Sequence, residues 1–522
     1  MTYSISNPVT VPFDFAAACA TPGWREALTW PFSPIDYDTQ HRHISLQLIR
    51  LAEGLEEDDR MAVMAMLGLL LITILPALEA AQCAELESAN AFQFIGGPPE
   101  LEFLRGNRPM PAPQRIIPME EYEGPRFPII RSILETLKWT GYGRLLPALL
   151  APKSVVITTT PAQLAWAKSN RINARFVPAW TLLQRARRNA RPAPADRVNA
   201  LSASVADIVV REAHLNESTI LVRLRQLVSA QAAHLLAFSI SDVESLKQIR
   251  LPKAIMSGTG GYYPSRIVGL EVKRRGGHVT RFEHGGSSGF TDAESFAVVE
   301  AVGTSCFVST TPRKAELIRK LGIDSLSPLF SDIEVAGATG DPFFHSTITR
   351  SLPPNAGPLR VCYACTFLTG YRKTIADVMT DVVYMDWQLR LADMLSRLPV
   401  AYVTKPHPEG IASHAMLAEI APVNLQRFED MMDWADVFVF DHMGSTSFWK
   451  ALCTDRPVVY IDIGYGTFSP AALPLIERRC RVVRTTLGSD NRPILDADVL
   501  AAAVLDTTAP RIDEIRAVFL GS

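Results

Sequence analysis

Two short stretches of this chain combine residue types and spacings that can do chemistry. One is Lys405-Pro406-His407-Pro408, followed at the next strand-to-helix turn by Asp441 and Gly444-Ser445-Thr446-Ser447. The other is Glu283-His284-Gly285-Gly286, which follows a second Gly-rich run that includes Gly260 and leads to Arg266. An imidazole, adjacent hydroxyls and the free amide protons of a helix start make a phosphate site. A carboxylate or imidazole at a strand end can take the proton of an acceptor hydroxyl. Together the two stretches suit transfer of a group from a phosphate leaving group to a hydroxyl. Charge building on the departing phosphate meets preorganised donors, and a protonated His407 can supply a proton to it.

These residues need elements that bring them together. Ala401 to Thr404 is a β-rich run that ends at Pro406, where the missing amide proton and fixed φ stop sheet pairing, so His407 is expected at the strand's carboxyl end. Val437 to Phe440 is a second such run; it stops at Asp441, and a helix is expected from Phe448 to Cys453. Parallel strands send their carboxyl-end loops into one crevice, so His407 and the 444–447 turn are predicted to face the same pocket. Glu283 and His284 are neighbours at a strand end and should point apart, so one of the two is the base. Glycines at 260, 285 and 286 let a ligand approach the backbone. Arg266 offers a planar cation to a carboxylate, and Lys405 and Asp441 flank the phosphate site. The 257–261 loop is not GxGxxG and has no acidic residue about 20 positions on, which argues against dinucleotide binding. Thr366 to Arg372 ends another strand of the same unit and is a weaker candidate for this cleft.

At 522 residues, with 48% hydrophobic and 20% charged side chains, the chain can build two or three packed domains and carries no bias toward disorder. A formal charge of -2 leaves no global basic field, so nucleic acid is not an expected partner. Seven scattered cysteines fit reduced thiols; Cys362 and Cys365 form a lone CxxC, expected as a buried strand-end pair rather than a zinc site. The opening residues lack a basic stretch and a long apolar core, so the reading is cytoplasmic. Met61 to Leu78 is free of charge and at the low edge of a membrane span, but its flanks are acidic and it is expected to be a buried core helix kinked near Pro76.

Residues 1–150 read as a helical and irregular accessory region. From Lys153 strands and helices alternate, which indicates a parallel sheet covered by helices. The expected class is α/β, with two Rossmann-like doubly wound domains facing across a cleft, at 151–335 and 358–522, joined by a Pro/Gly/Ser-rich linker at 336–357.

That layout resembles a GT-B glycosyltransferase. The Lys405-Pro406-His407-Pro408 and Ser445-Thr446-Ser447 pair, with Ala451-Leu452 and Arg456-Pro457-Val458-Val459-Tyr460, resembles the HP and Ser/Thr motifs of bacterial sialyltransferases and Kdo transferases that use CMP-sugars. It is also similar to CDP-glycerol polyol-phosphate transferases and capsule-polysaccharide synthesis proteins, across roughly 360–465. The resemblance implies that His407, Ser445, Thr446 and Ser447 hold the donor's nucleotide phosphate, with a CMP-sugar as donor and no separate cofactor. The His284-Gly285 pair is similar to a His-Gly element in the polyol-phosphate and capsule transferases, where the histidine is the base; Glu283 is a departure from that pattern. With a CMP-sugar donor Glu283 is favoured as base, with a CDP-polyol donor His284.

No carboxylate pair follows a strand, so no metal is expected. The helix after the donor loop reads FWKALC, without the glutamate of retaining enzymes, which favours inversion. The implied function is metal-independent, inverting transfer of a CMP-activated ulosonic sugar, of Kdo or sialic-acid type, to a saccharide or glycoconjugate acceptor of a surface polysaccharide. A CDP-polyol phosphotransferase and an inactive GT-B scaffold in a capsule assembly complex remain open. In the scaffold reading the first 150 residues and the apolar 61–78 segment would serve docking; contact with the inner membrane face or a polysaccharide-assembly complex is a further expected partnership.

Overall fold

The computed structural model describes residues 8–113, 128–150, 152–347, 357–366, 368, 379–407, 414–464, 466–508 and 510–521. Pro408 and most of the 366–372 candidate lie outside the described residues. So do parts of the Pro-rich stretch before 128 and of the 336–357 linker.

In the N-terminal region β1 (Val9–Pro12) pairs in parallel with β2 (Phe92–Ile95), a two-stranded sheet within a region whose sequence reads as helical and irregular. Between them runs the 32-residue helix Glu57–Ser88, with Glu57, Asp58 and Asp59 in its first turn, where the helix dipole favours negative charge. It packs against Ser218–Lys247, and most of its apolar stretch is buried among protein side chains, with Pro76 inside it. Hydrophobicity on all sides of the helix is thus satisfied by neighbouring helices.

The first sheet is wholly parallel, in the order β4-β3-β5-β6-β7-β8, where β3 is Ser154–Val156, β4 Ala174–Phe176, β5 Ala254–Ser257, β6 His278–Phe282, β7 Cys306–Ser309 and β8 Glu334–Gly337. The second is also parallel, in the order β10-β9-β11-β12-β13, with β9 at Arg360–Ala364, β10 at Ala401–Lys405, β11 at Val437–Phe440, β12 at Val458–Asp462 and β13 at Arg481–Arg484. Strands covered by helices on both faces need no polar alternation, which is why all four residues of β11, Val-Phe-Val-Phe, are buried. These are two Rossmann-like α/β units, at the places the alternation of strands and helices predicts, with a helical N-terminal region. In the second sheet the order reverses between β9 and β11, the switch point beside which open α/β sheets bind ligands.

The two sheets are held together by the segments that bear the candidate residues. Ser469 donates from its amide to Phe290 O (2.7 Å) and from its hydroxyl to Gly289 O (2.9 Å). The C-terminal helix Asp513–Phe519 returns to the first domain, where Thr311 Oγ1 donates to Val518 O at 2.6 Å. The Phe290 ring lies 4.6 Å from Trp449 and stacks 5.6 Å from Phe519, so one apolar cluster continues from one domain into the other. The N-terminal region also touches the second domain: the Trp30 amide donates to Asp490 O, and Thr380 Oγ1 donates to Glu79. Helix Glu57–Ser88 is thereby fixed beside the cleft.

Candidate active site

Two cavities meet at one turn. The smaller, about 280 Å³, lies at the carboxyl ends of β9, β10 and β11 and is lined by Lys405, Pro406, His407, Ser445, Thr446 and Ser447 among others. The larger, about 390 Å³, opens between the domains and is lined by His284, Gly285, Arg266 and Glu300 on one side and by His442, Gly444 and Thr446 on the other. Thr446 belongs to both walls.

Of the phosphate candidates, His407, Ser445, Thr446 and Ser447 line the smaller cavity, whereas Gly444 lines the larger one and donates from its amide to His442 Nδ1. Ser445 is the N-cap residue of Thr446–Leu452 but makes no side-chain capping bond. Among the described residues the hydroxyls of Ser445, Thr446 and Ser447 have no hydrogen-bond partner within the protein; the Phe448 amide donates to Ser445 O (3.0 Å), which leaves the Thr446 and Ser447 amides at the helix start open. Lys405 is buried, donates to Pro406 O at 2.9 Å, and is pushed by burial toward the neutral form. Arg427 also lines this cavity, whereas the Lys450 charge is met by Glu429 at 2.9 Å.

The base candidates diverge, as adjacent residues at a strand end do. Glu283 turns inward: it is 2% exposed, pairs with Lys314 Nζ, accepts from the Thr310 amide at 3.3 Å and lines neither cavity. Lys314 Nζ also donates to Gly286 O (2.6 Å) and lies 4.2 Å from the centre of the Phe519 ring. Glu283 therefore belongs to the domain contact and cannot reach a hydroxyl in the cleft. His284 turns outward into the larger cavity, with Nδ1 3.2 Å from Glu300 Oε1. The hydrogen bond to Glu300 raises the His284 pKa above its ordinary value, against the opposing effect of burial. Glu300 is buried and its other oxygen accepts from the Gly260 amide at 2.9 Å. The carboxylate thus fixes the imidazole so that Nε2 is left for chemistry.

No spacing or motif links position 300 to 284. Glu300 lies in a π-helical turn, Ala297–Ala301, and its only local signal is a carboxylate alone in the apolar run Ala-Val-Val-Glu-Ala-Val. His442 likewise carries no local signal beyond its place after Asp441. It is buried, accepts from the Gly444 amide at Nδ1 (3.0 Å), and burial lowers its pKa to about 4, so it is neutral near pH 7.

The flanking residues take other roles than the sequence suggests. Asp441 is 1% exposed and accepts from Tyr363 Oη, Tyr384 Oη (2.9 Å) and Trp387 Nε1 (2.9 Å), so it anchors β9 and the helix Asp381–Ser396 to β11 rather than contacting a ligand. Gly260 and Gly286 serve close packing. A Cβ at 260 would stand 2.5 Å from Val299 O, and one at Gly286 (φ +97°) would stand 2.9 Å from Trp449. Gly285 alone of the three lines the larger cavity. Arg266 lines it too, with Nε and Nη2 donating to the carbonyls of Gly260 (3.1 Å) and Val298 (2.8 Å). Its Nη1 makes no such bond among the described residues; burial lowers the guanidinium to about 10, so it stays charged. Cys362 and Cys365 are buried thiols.

Replacing Glu300 with Gln should lower the His284 pKa, because the negative partner that favours imidazolium is gone. An NMR titration of the His284 ring is expected to move to lower pH. An unchanged midpoint would mean that Glu300 does not act on His284.

No protein-family model matches the chain, and no curated protein does. Among solved structures it is similar to Os79 from O. sativa, solved in complex with UDP and deoxynivalenol-3-glucoside. The identity is 12%, the TM-score 0.31, and the match covers 73% of this chain and 90% of that one.

Proposed function

We propose that the protein is an inverting glycosyltransferase that uses a nucleotide-activated sugar, with the donor phosphate in the smaller cavity and the acceptor in the larger. The observation that carries this reading is Thr446, shared by both walls, which sets a candidate base and a candidate phosphate site on either side of one turn. In the step, His284 Nε2 removes the acceptor hydroxyl proton as the acceptor oxygen bonds to the anomeric carbon. The bond from that carbon to the phosphate oxygen breaks, and its electron pair leaves with the nucleotide. His407 and the hydroxyls of Ser445, Thr446 and Ser447 stabilise the charge that collects there. Attack from the face opposite the leaving phosphate inverts the centre.

The donor of choice is a CMP-activated ulosonic acid of Kdo or sialic-acid type, transferred to a saccharide or glycoconjugate of a cell-surface polymer on the cytoplasmic side. The HP and Ser/Thr resemblance supports CMP, and Arg266 in the cavity wall supports a sugar carboxylate. A thermal-shift panel of CMP, CDP and UDP tests the donor class. CMP at 100 times its Kd should add about 2.7 kcal/mol of stability, with UDP ineffective. Stabilisation by CDP over CMP would favour polyol-phosphate transfer, and no response to any nucleotide would overturn the transferase reading. His407→Ala should leave a folded protein with turnover lowered about a hundredfold to a thousandfold, and near-normal turnover would remove His407 from the mechanism.

A further inference from the structure

We propose that the acceptor is amphipathic, an aliphatic glycoside or glycolipid whose chain lies on helix Glu57–Ser88 while its sugar hydroxyl meets His284; this rests on the transferase reading above. Ala65, Gly68, Leu69 and Ile72 line the larger cavity. Their spacing of i, i+3, i+4 and i+7 makes a single helix face about 10 Å long. Within Met61 to Leu78 only Gly68, Leu69, Ile72, Thr73 and Pro76 are partly exposed; of these Gly68, Leu69 and Ile72 line the cleft, with the buried Ala65 beneath them. Phe296 and Val299, from the segment that carries Glu300, extend the apolar wall toward the base.

The remaining walls are of opposite character. Ser287, Ser288 and Thr291 bring hydroxyls, and Asp38, paired through Oδ2 with Arg42, and Asp292, which caps Ser295, bring carboxylates with lone pairs left to accept from sugar hydroxyls. A wholly polar oligosaccharide placed across this cavity would lose water from its hydroxyls against Leu69 and Ile72 without regaining partners, which costs free energy for each group. A ligand with a hydroxylated head and an aliphatic tail satisfies both walls at once.

Calorimetry on the full chain with n-octyl and methyl β-D-glucopyranoside, both below micelle-forming concentration, tests this. The octyl glycoside should bind at least about tenfold more tightly than the methyl glycoside. In a Leu69→Asn/Ile72→Asn variant the difference should collapse while CMP binds as in the wild type. Should that variant fail to fold, Leu69→Ala/Ile72→Ala, which adds no polar group, is expected to lose most of the octyl advantage. Equal affinity for the two glycosides, or an octyl advantage undiminished in the folded variants, would overturn the proposal. Failure of the wild type to bind any nucleotide would instead strike at the transferase reading, because the alkyl-glycoside comparison is read without a donor.

Discussion

His284→Ala is expected to reduce sugar transfer by about two to four orders of magnitude while nucleotide affinity stays near that of the wild type. The side chain is exposed to the larger cavity and ion-paired to Glu300, so its loss removes little packing. It acts on the acceptor proton, which moves only in the reaction, so the effect should fall on kcat more than on nucleotide binding. Because the raised pKa keeps the ring protonated to a higher pH than usual, wild-type activity should decline as pH falls through that pKa. A folded His284→Ala protein with near-normal turnover would mean that the base lies elsewhere.

Glu283→Ala should show the opposite pattern, a loss of stability without a specific loss of chemistry. Burial disfavours the charged forms of both Glu283 and Lys314, while each favours the charge of the other. Removing one partner leaves an ammonium with no counter-charge in a site that is 0% exposed. Breaking a buried pair in this way typically costs about 3–5 kcal/mol. The denaturant midpoint should fall at an unchanged slope. The double variant Glu283→Leu/Lys314→Met should recover much of the loss, since no buried charge remains. If Glu283→Ala instead keeps its stability and loses only turnover, Glu283 is the base after all.

The contrast between these residues shows what the sequence could and could not reveal. His407 and the 445–447 turn share a cavity because each closes a parallel strand, and the two strand ends are marked locally by Pro406 and by Asp441 after an apolar run. The same local logic made the two sheets and the buried helix readable. Which of Glu283 and His284 faces the cleft depends on Lys314 and Thr310, contributed by later elements of the chain, and on the return of the C-terminal helix. The role of Asp441 is set by Tyr363, Tyr384 and Trp387, which reach it from β9 and from Asp381–Ser396. The glycines at 260 and 286 looked like ligand approaches, but their neighbours are Val299 and Trp449. Such assignments follow from tertiary packing, and no local pattern announces it.

The phosphate site at the 445–447 turn is the centre of the account, and it is tested most directly by calorimetric affinity for CMP and for cytidine in wild type and in Ser445→Ala/Thr446→Val. The variant removes two hydroxyl donors and leaves the amides of the helix start in place. A hydrogen bond to a charged group contributes about 1.5–3 kcal/mol, so CMP should bind about a hundredfold or more weakly, while cytidine, a poor ligand without its phosphate, changes little. Equal weakening of both ligands, or no change in either, would contradict the placement of the donor phosphate.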